Sequence, residues 1–202
     1  MTVTPDIQLQ PGLQSGLAVG AWRLSPADSY ASFAARLPLR RLRGRLPLTG
    51  HVLIAERVEE SRALLIARTS AVRTGSQALD RVLTGPAFLD AGAFPDISFT
   101  SDLLVWVPSG WRAIGRLRVK NTEHEVACQF DVKFADPSAS APPRPVVCCR
   151  WALDSTWVTS QRIPGLGRRI EMTCSFELTA DRQSDETSVR CDGRRTEMAA
   201  SS

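Results

Sequence analysis

The side chains best suited to catalysis or metal binding are two histidines and five cysteines. Neither His51 nor His124 lies near a nucleophile motif, and triad chemistry needs a nucleophile, a histidine and an acid held together. His124 falls in a polar segment, Asn121 to Glu125, that we interpret as a solvated hairpin turn. The adjacent His124 and Glu125 lack the H-E-x-x-H spacing of zinc proteases. We therefore expect no catalytic residue.

The cysteines also argue against a metal centre. They are Cys128, Cys148, Cys149, Cys174 and Cys191. No two have the C-x-x-C spacing of a zinc site, so we expect no metal and no other cofactor. The adjacent Cys148 and Cys149 would point to opposite faces of a strand. We interpret all five as reduced and mostly buried thiols, which are typical of the cytoplasm. No basic segment followed by a continuous apolar run precedes Arg23, so a cytoplasmic location is expected.

The charge distribution leaves two interpretations of one segment open. Basic residues exceed acidic ones by 25 to 21, and residues 31–50 hold five arginines and no acid. These five are Arg36, Arg40, Arg41, Arg43 and Arg45. They could form an anion site at a barrel rim, but a solvated hairpin is the favoured interpretation. No strand interleaves aromatic and basic residues as RNA-binding sheets do, so no nucleic-acid partner is expected.

Alternation of apolar and polar residues dominates the pattern along the chain. Period-two alternation is typical of half-buried antiparallel strands. The clearest runs are 111–120, 126–134 and 170–178, and shorter candidates are 22–24, 30–37, 50–56, 63–72, 97–107 and 146–153. Many short strands with almost no helix predict an all-β sandwich or barrel. The alternation does not decide whether the apolar faces fill a solid core or line a cavity.

One short segment, near residues 76–84, has a helical pattern. Ser76 is a candidate N-cap. Ala78, Leu79, Val82 and Leu83 would share one face. The segment ends at Gly85, which is followed by Pro86.

The remaining segments define the predicted domain organisation. We expect a flexible lead-in at residues 1–19, one domain at 20–180 and a polar tail at 181–202. Residues 135–145, rich in Pro, Ser and Ala, are predicted to form a long loop between strands. The longest uncharged stretch, 7–22, contains Pro11 and three glycines, so we expect no membrane-spanning segment.

Two motifs lie at spacings that are shared with a known family. The first is a Trp-x-Leu-x-Pro segment, Trp22 to Pro26, followed by Ser29. The second consists of Thr74-Gly75, Asp80, Leu83, Phe88-Leu89-Asp90 and the run from Phe94 to Ser101. Through these residues, and over about Gly20 to Leu178, the chain resembles the YceI-like, polyisoprenoid-binding family. Leu79, Val82 and Ser155 stand where that family usually has Arg, His and Arg.

The resemblance implies an extended antiparallel, lipocalin-like barrel of about eight strands that encloses an apolar channel. It implies non-enzymatic binding, transport or storage of an amphipathic isoprenoid-type lipid, such as an isoprenoid quinone or a polyprenyl phosphate. Burial of a prenyl tail contributes about 25 cal/mol per Å² of apolar area, so no polar site is required. The inward residues expected to line the channel are Phe99, Leu103, Trp111, Leu117, Phe130, Val132, Met172 and Phe176.

Two other functions remain open at this point. The first is an enzyme that acts on a small apolar substrate in the same cavity, with Cys128 and Cys174 as the candidate polar groups on apolar faces. The second is an interaction module with a filled core and a basic rim. A homodimer is also plausible, because an elongated barrel has strand edges to cover.

Overall fold

The computed structural model describes residues 17–39, 41–107, 110–134, 144–159 and 161–181. Most of the predicted lead-in, nearly all of the predicted tail with Cys191, and residues 135–143 of the predicted loop lie outside the described residues. The strands are β1 (Gly20–Leu24), β2 (Tyr30–Arg36), β3 (Arg41–Ile54), β4 (Arg62–Arg68), β5 (Asp96–Val107), β6 (Gly110–Val119), β7 (Thr122–Phe134), β8 (Pro145–Asp154) and β9 (Arg169–Ala180). One helix, α1 (Gln77–Thr84), and three short 3₁₀ turns complete the described part of the chain.

The strands close into a barrel with eight positions around its circumference. Strands β2 to β9 follow one another as antiparallel neighbours, and β9 pairs back to β2. Strands β1 and β2 share one position end to end, because both pair with β3 on one side and β9 on the other. The predicted antiparallel barrel of about eight strands is therefore confirmed.

Buried and exposed residues alternate along the strands, and the buried apolar faces point into the barrel. In β6, Trp111, Ala113, Leu117 and Val119 are buried, whereas the arginines between them are exposed. Inward residues of the other strands pack into the same interior. The core of the protein is thus the inside of the barrel.

Two glycines allow neighbouring strands to approach each other closely. A Cβ atom at Gly115 would collide with the carbonyl oxygen of Thr100 on β5. A Cβ atom at Gly50 would collide with the carbonyl oxygen of Leu64 on β4. Glycine within a strand is typical of such close backbone approaches and of bends at barrel corners.

A β-bulge in β5 changes which residues point inward. The register between β5 and β6 shifts between Ser101 and Leu103. After the shift, Leu104 pairs with the inward Ala113, and Leu103 pairs with Ile114 on the outer face. The predicted inward orientation of Leu103 is wrong, because simple alternation from Phe99 does not count the extra residue.

Helix α1 forms where the pattern predicts it, but the predicted cap is wrong. The Ser76 side chain makes no capping hydrogen bond. Instead, Asp80 Oδ1 accepts hydrogen bonds from the backbone N and the Oγ1 of Thr74, at 2.8 and 2.7 Å. Leu83 is buried, whereas Val82 is 51% exposed, so only part of the predicted face packs on the barrel. No helix in the described part of the chain is long and apolar enough to cross a membrane.

The connections between strands define two ends of the barrel. We call one the helix end, because it carries α1 in the β4–β5 connection together with the β8–β9 connection. The other, the hairpin end, carries the β3–β4 and β5–β6 connections.

Candidate functional site

The described residues enclose three apolar cavities inside the barrel, arranged between the two ends. The middle cavity has a volume of about 80 Å³, and the helix-end cavity has about 90 Å³. The hairpin-end cavity is smaller, at about 30 Å³. The described side chains of their walls are almost entirely aliphatic, aromatic or sulfur-containing, and Ser61 carries the one hydroxyl among these described residues.

Four side chains separate the middle cavity from the helix-end cavity, since they line both. They are Leu46, Ile97, Leu153 and Met172. Met172 is unbranched and has three rotatable bonds, so it adapts its shape more readily than the branched residues beside it.

The predicted channel residues fall in three different places. Phe99, Leu117 and Met172 line the middle cavity. Trp111, Phe130 and Val132 line the hairpin-end cavity. Phe176 is buried at 6% exposure but lines none of the three cavities, and Leu103 lies on the outer face. Their role in ligand binding stays a prediction.

The residues that line the helix-end cavity were largely missed by the sequence analysis. They include Leu83 and Phe88 from α1 and the turn after it, and Val158 and Leu166 from the β8–β9 connection. These connections lack the two-residue period on which the strand predictions depended. The family motif contains Leu83 and Phe88, and it was the feature of the sequence from which these lining residues could have been predicted. Leu79 and Val82, which depart from the family pattern, do not line this cavity.

Three thiols lie together on the wall of the middle cavity. Cys128, Cys149 and Cys174 occupy the neighbouring strands β7, β8 and β9, and Cys149 pairs directly with Cys174. Hydrogen bonds to Cys128 and Cys174, together with burial, raise the pKa of the Cys149 thiol. The same hydrogen bonds lower the pKa of Cys128 and Cys174. Among the described residues, no basic side chain lines the cavity to act as a base for these thiols. Cys148 lies on the opposite face of β8, next to Ser175.

An aromatic cluster lies at the hairpin end. The rings of Trp106 and Trp111 meet edge to face at a centroid distance of 5.3 Å. Trp111 is also stacked on Phe130, at 6.1 Å and an interplanar angle of 16°. Trp106 is 50% exposed and Phe134 is 45% exposed, so large apolar surfaces remain open to solvent at this end.

His124 is not the solvated turn residue that the sequence predicted. The turn is confined to Lys120 and Asn121, and β7 begins at Thr122, so His124 lies within a strand. Its half-buried ring is stacked on Trp157, with centroids 4.0 Å apart and an interplanar angle of 8°. One ring nitrogen lies 3.0 Å from Thr122 Oγ1. His124 therefore acts as a packing residue at the helix end.

The described arginines of segment 31–50 lie exposed on the two strands of the β2–β3 hairpin, as the solvated-hairpin interpretation predicts. Arg43 and Arg45 of β3, together with Arg73, surround an outer groove of about 700 Å³. Glu171 also lines this groove and forms an ion pair of 3.7 Å with Arg41. Phe33 borders both the groove and the helix-end cavity. All of these arginines are exposed, and Arg40 lies outside the described residues.

The fold is similar to those of several solved structures. BcnA from Burkholderia cenocepacia matches 77% of this chain and 99% of its own, with 14% identity and a TM-score of 0.67. The Campylobacter jejuni YceI protein matches 72% and 88%, with 14% identity and a TM-score of 0.61. A polyisoprenoid-binding domain from Saccharophagus degradans, implicated in plant cell wall breakdown, matches 79% and 98%, with 13% identity and a TM-score of 0.56. No curated protein matches the chain.

The comparison with family models gives the clearest assignment. The model of the YceI-like domain matches residues 22–180. This range contains both sequence motifs and all the strands except the first two residues of β1. The chain belongs to the family of YceI-like domains.

Proposed function

We propose that this protein binds an amphipathic isoprenoid-type lipid inside the barrel and carries or stores it without catalysing a reaction. The observation that carries the proposal is the row of three apolar cavities along the barrel axis. The solved structure of a polyisoprenoid-binding domain with the same fold supports the choice of ligand class. The cytoplasmic location and the homodimer stay predictions from the sequence.

The apolar walls supply the free energy for binding a lipid tail. Each Å² of apolar surface removed from water contributes about 25 cal/mol, so a long tail binds without any polar contact. A barrel of eight strands has an interior wide enough for one small or elongated ligand. A tail that lies along the axis would contact Met172 in the middle and Trp111 at the hairpin end.

The cavities must enlarge when such a ligand enters. Binding sites for drug-sized ligands have volumes of about 300–1,000 Å³, whereas the two larger cavities have about 80 and 90 Å³. Rotation of Met172 would join these two cavities into one channel. The proposal therefore includes a movement of Met172 on binding.

The chemistry of the walls supports a carrier over an enzyme. Catalysis in the cavity would need a nucleophile with a base or another activating group nearby. Hydrogen bonds with Cys149 lower the pKa of the candidate thiols Cys128 and Cys174, but none of the described side chains that line the middle cavity is basic. The outer arginines of the groove would suit an interaction module, but a module with a filled core does not account for the inner cavities.

The test combines native mass spectrometry of the purified protein with lipid analysis of an organic extract. We expect one prenyl lipid per chain. Phe130→Arg places a charge on the inward face of β7 and should abolish lipid retention while the strand content stays unchanged. Ala127→Arg, on the exposed face of the same strand, is the matched control and should retain the lipid.

Each outcome bears on the proposal. Loss of the lipid in the Phe130→Arg variant alone would support binding inside the barrel. Equal retention in both variants would place the lipid elsewhere. If the wild-type protein neither co-purifies with a prenyl lipid nor takes one up from detergent solution, the proposed function is wrong.

A further inference from the structure

Arginine lies directly opposite arginine at two places in the described sheet. Arg36 and Arg41 are opposed where β2 ends and β3 begins. Arg45 of β3 is opposed to Arg73, which follows β4, and the backbone N of each donates a hydrogen bond to the carbonyl of the other at 2.9 Å. Like charges at directly opposite positions destabilise a sheet.

Of these two pairs, the first has a compensating carboxylate and the second has none among the described residues. Glu171 Oε2 lies 3.7 Å from Arg41 Nη2. Arg45 and Arg73 form no ion pair with any residue that the structure describes. The same holds for Arg43, which precedes Arg45 by two positions on the outer face of β3. These three arginines line the outer groove together.

Local contacts hold two of these guanidinium groups at the groove. Arg73 Nη1 donates hydrogen bonds to the backbone carbonyls of Val72 at 2.7 Å and Ser70 at 3.4 Å. The guanidinium carbon of Arg45 lies over the Tyr30 ring, 5.9 Å from its centre. A guanidinium group has several N–H donors, so both arginines keep donors for a ligand. Because these side chains are already ordered, an anion that bridges them costs little side-chain entropy.

The charge of the groove indicates which kind of anion it would bind. Arginine recognises phosphate and carboxylate oxygens through paired N–H donors. A phosphomonoester carries a charge of about −1.5 to −2 at pH 7 and has three acceptor oxygens, so it can contact several guanidinium groups at once. A carboxylate has one charge and two oxygens. Three guanidinium groups on one wall therefore favour a phosphomonoester.

The size and the other walls of the groove indicate the rest of the ligand. Its volume of about 700 Å³ lies within the range of about 300–1,000 Å³ for small-molecule sites. It therefore has room for more than a free phosphate ion. Ser32 and Thr173, directly opposite each other on β2 and β9, add hydroxyl groups, and Tyr30 and Phe33 add aromatic surface.

We propose that the outer groove is a binding site for a soluble phosphomonoester, whose phosphate group bridges Arg45 and Arg73 and contacts Arg43. The anion replaces the repulsion between the opposed guanidinium groups with an attraction to both. The groove lies on the outer face of the barrel, so this inference goes beyond the proposed function and does not depend on it.

The experiment measures the binding of phenyl phosphate to the full chain by isothermal titration calorimetry. An ionic strength of about 0.1 M screens charges that lie more than about 10 Å from the ligand. Arg45→Gln and Arg73→Gln should each weaken binding about tenfold or more, the effect of one lost hydrogen bond to a charged group. Arg112→Gln removes the same charge from the exposed face of β6, three strands away from β3, and is the matched control. It should change the affinity less than about twofold.

Two further measurements separate phosphate recognition from general attraction between charges. Phenyl sulfate has a similar shape but a single charge, and it should bind the wild-type protein several-fold more weakly than phenyl phosphate. Phenyl phosphate should also raise the melting temperature of the wild-type protein and of Arg112→Gln, because a ligand that binds the folded state stabilises it. This rise should be lost in Arg45→Gln and Arg73→Gln.

Several results would overturn the inference. Equal weakening by all three substitutions would reduce the effect to net charge. Binding to vesicles of phosphatidylcholine and phosphatidic acid, without binding of phenyl phosphate, would rule out a soluble ligand. If phenyl phosphate does not bind the wild-type protein, the inference is wrong. Native mass spectrometry of Arg45→Gln should still show the prenyl lipid, so failure of this inference is distinguishable from failure of the proposed function.

Discussion

The two ends of the barrel differ in how completely they are closed. At the helix end, Thr159 Oγ1 donates a hydrogen bond to the carbonyl of Ala87 at 2.8 Å, and this bond joins the β8–β9 connection to the turn after α1. At the hairpin end, Trp106 and Phe134 are half exposed, and Trp111 Nε1 has no partner in the described residues. We interpret the helix end as a fixed base and the hairpin end as the entrance.

The difference arises from the connections between the strands. Two of the helix-end connections, β4–β5 and β8–β9, are long and bring their own apolar side chains, such as Leu83, Leu89 and Leu166, over the barrel opening. The described hairpin-end connection 55–61 is short and contributes Val58 and Ser61 to the cavity wall. A base built from packed side chains contributes stability, whereas an entrance must open at a low cost in free energy.

The largest expected effect is a loss of stability when the packing of the base, at the helix end, is weakened. Leu83→Ala removes the buried side chain of α1, and loss of a buried leucine costs about 2–5 kcal/mol of stability. Val82→Ala, at a neighbouring position that is 51% exposed, should cost less than about 0.5 kcal/mol. Urea unfolding followed by circular dichroism measures both. Equal small losses would show that α1 does not hold the base closed.

The next effect tests the β-bulge that orients β5 near the entrance. Leu104→Ala should cost about 2–5 kcal/mol, because Leu104 is 5% exposed and lines the hairpin-end cavity. Leu103→Ala, on the outer face one residue away, should cost clearly less in the same unfolding experiment. The opposite ranking would mean that simple alternation, without the bulge, describes β5.

This pair also shows how far the sequence determines the site. The alternation of apolar and polar residues located the long strands. It also correctly predicted that Phe99, Leu117 and Phe130 point inward, because one face of each strand must be buried. It failed at Leu103, because a bulge adds one residue and reverses the faces that follow. A bulge depends on pairing with a distant strand, so local alternation does not reveal it.

The helix end was predicted less completely for a related reason. The short helix was located by its pattern, but its cap was assigned to Ser76, whereas Asp80 holds the preceding turn through Thr74. His124 was assigned to a solvated turn, whereas stacking on Trp157 places it in the packed base. Both errors concern contacts between segments far apart in sequence or between side chain and backbone, which periodicity does not encode.

A third and smaller effect tests the entrance directly. Trp106→Ala removes an edge-to-face ring contact worth about 0.5–1.5 kcal/mol and opens the hairpin end. We expect an apolar reagent, N-phenylmaleimide, to alkylate the cavity thiols several-fold faster, as measured by mass spectrometry of peptides. Cys148, on the outer face, is the internal reference and Cys149 is its inward neighbour. Faster alkylation in Leu83→Ala but not in Trp106→Ala would place the entrance at the helix end instead.

The smallest effect concerns the pH dependence of the base. Asp154 Oδ1 accepts a hydrogen bond from the backbone N of Thr156 at 2.9 Å, and its Oδ2 accepts one from Arg168 Nε at 2.7 Å. The carboxylate therefore ties the two ends of the β8–β9 connection together. These contacts, led by the Thr156 backbone N–H, lower the pKa of Asp154 from 3.8 to about 2.

The sign of the pH effect follows from this lowered pKa. The contribution of Asp154 to stability is complete above its ordinary pKa and is lost as the pH falls through about 2. Asp154→Asn should therefore lower the free energy of unfolding at pH 5, and the gap from wild type should shrink at pH 2.5. Asp131→Asn, which replaces an exposed carboxylate on β7, is the control. A gap that stays constant between the two pH values would mean that the charge of Asp154 does not hold the base closed.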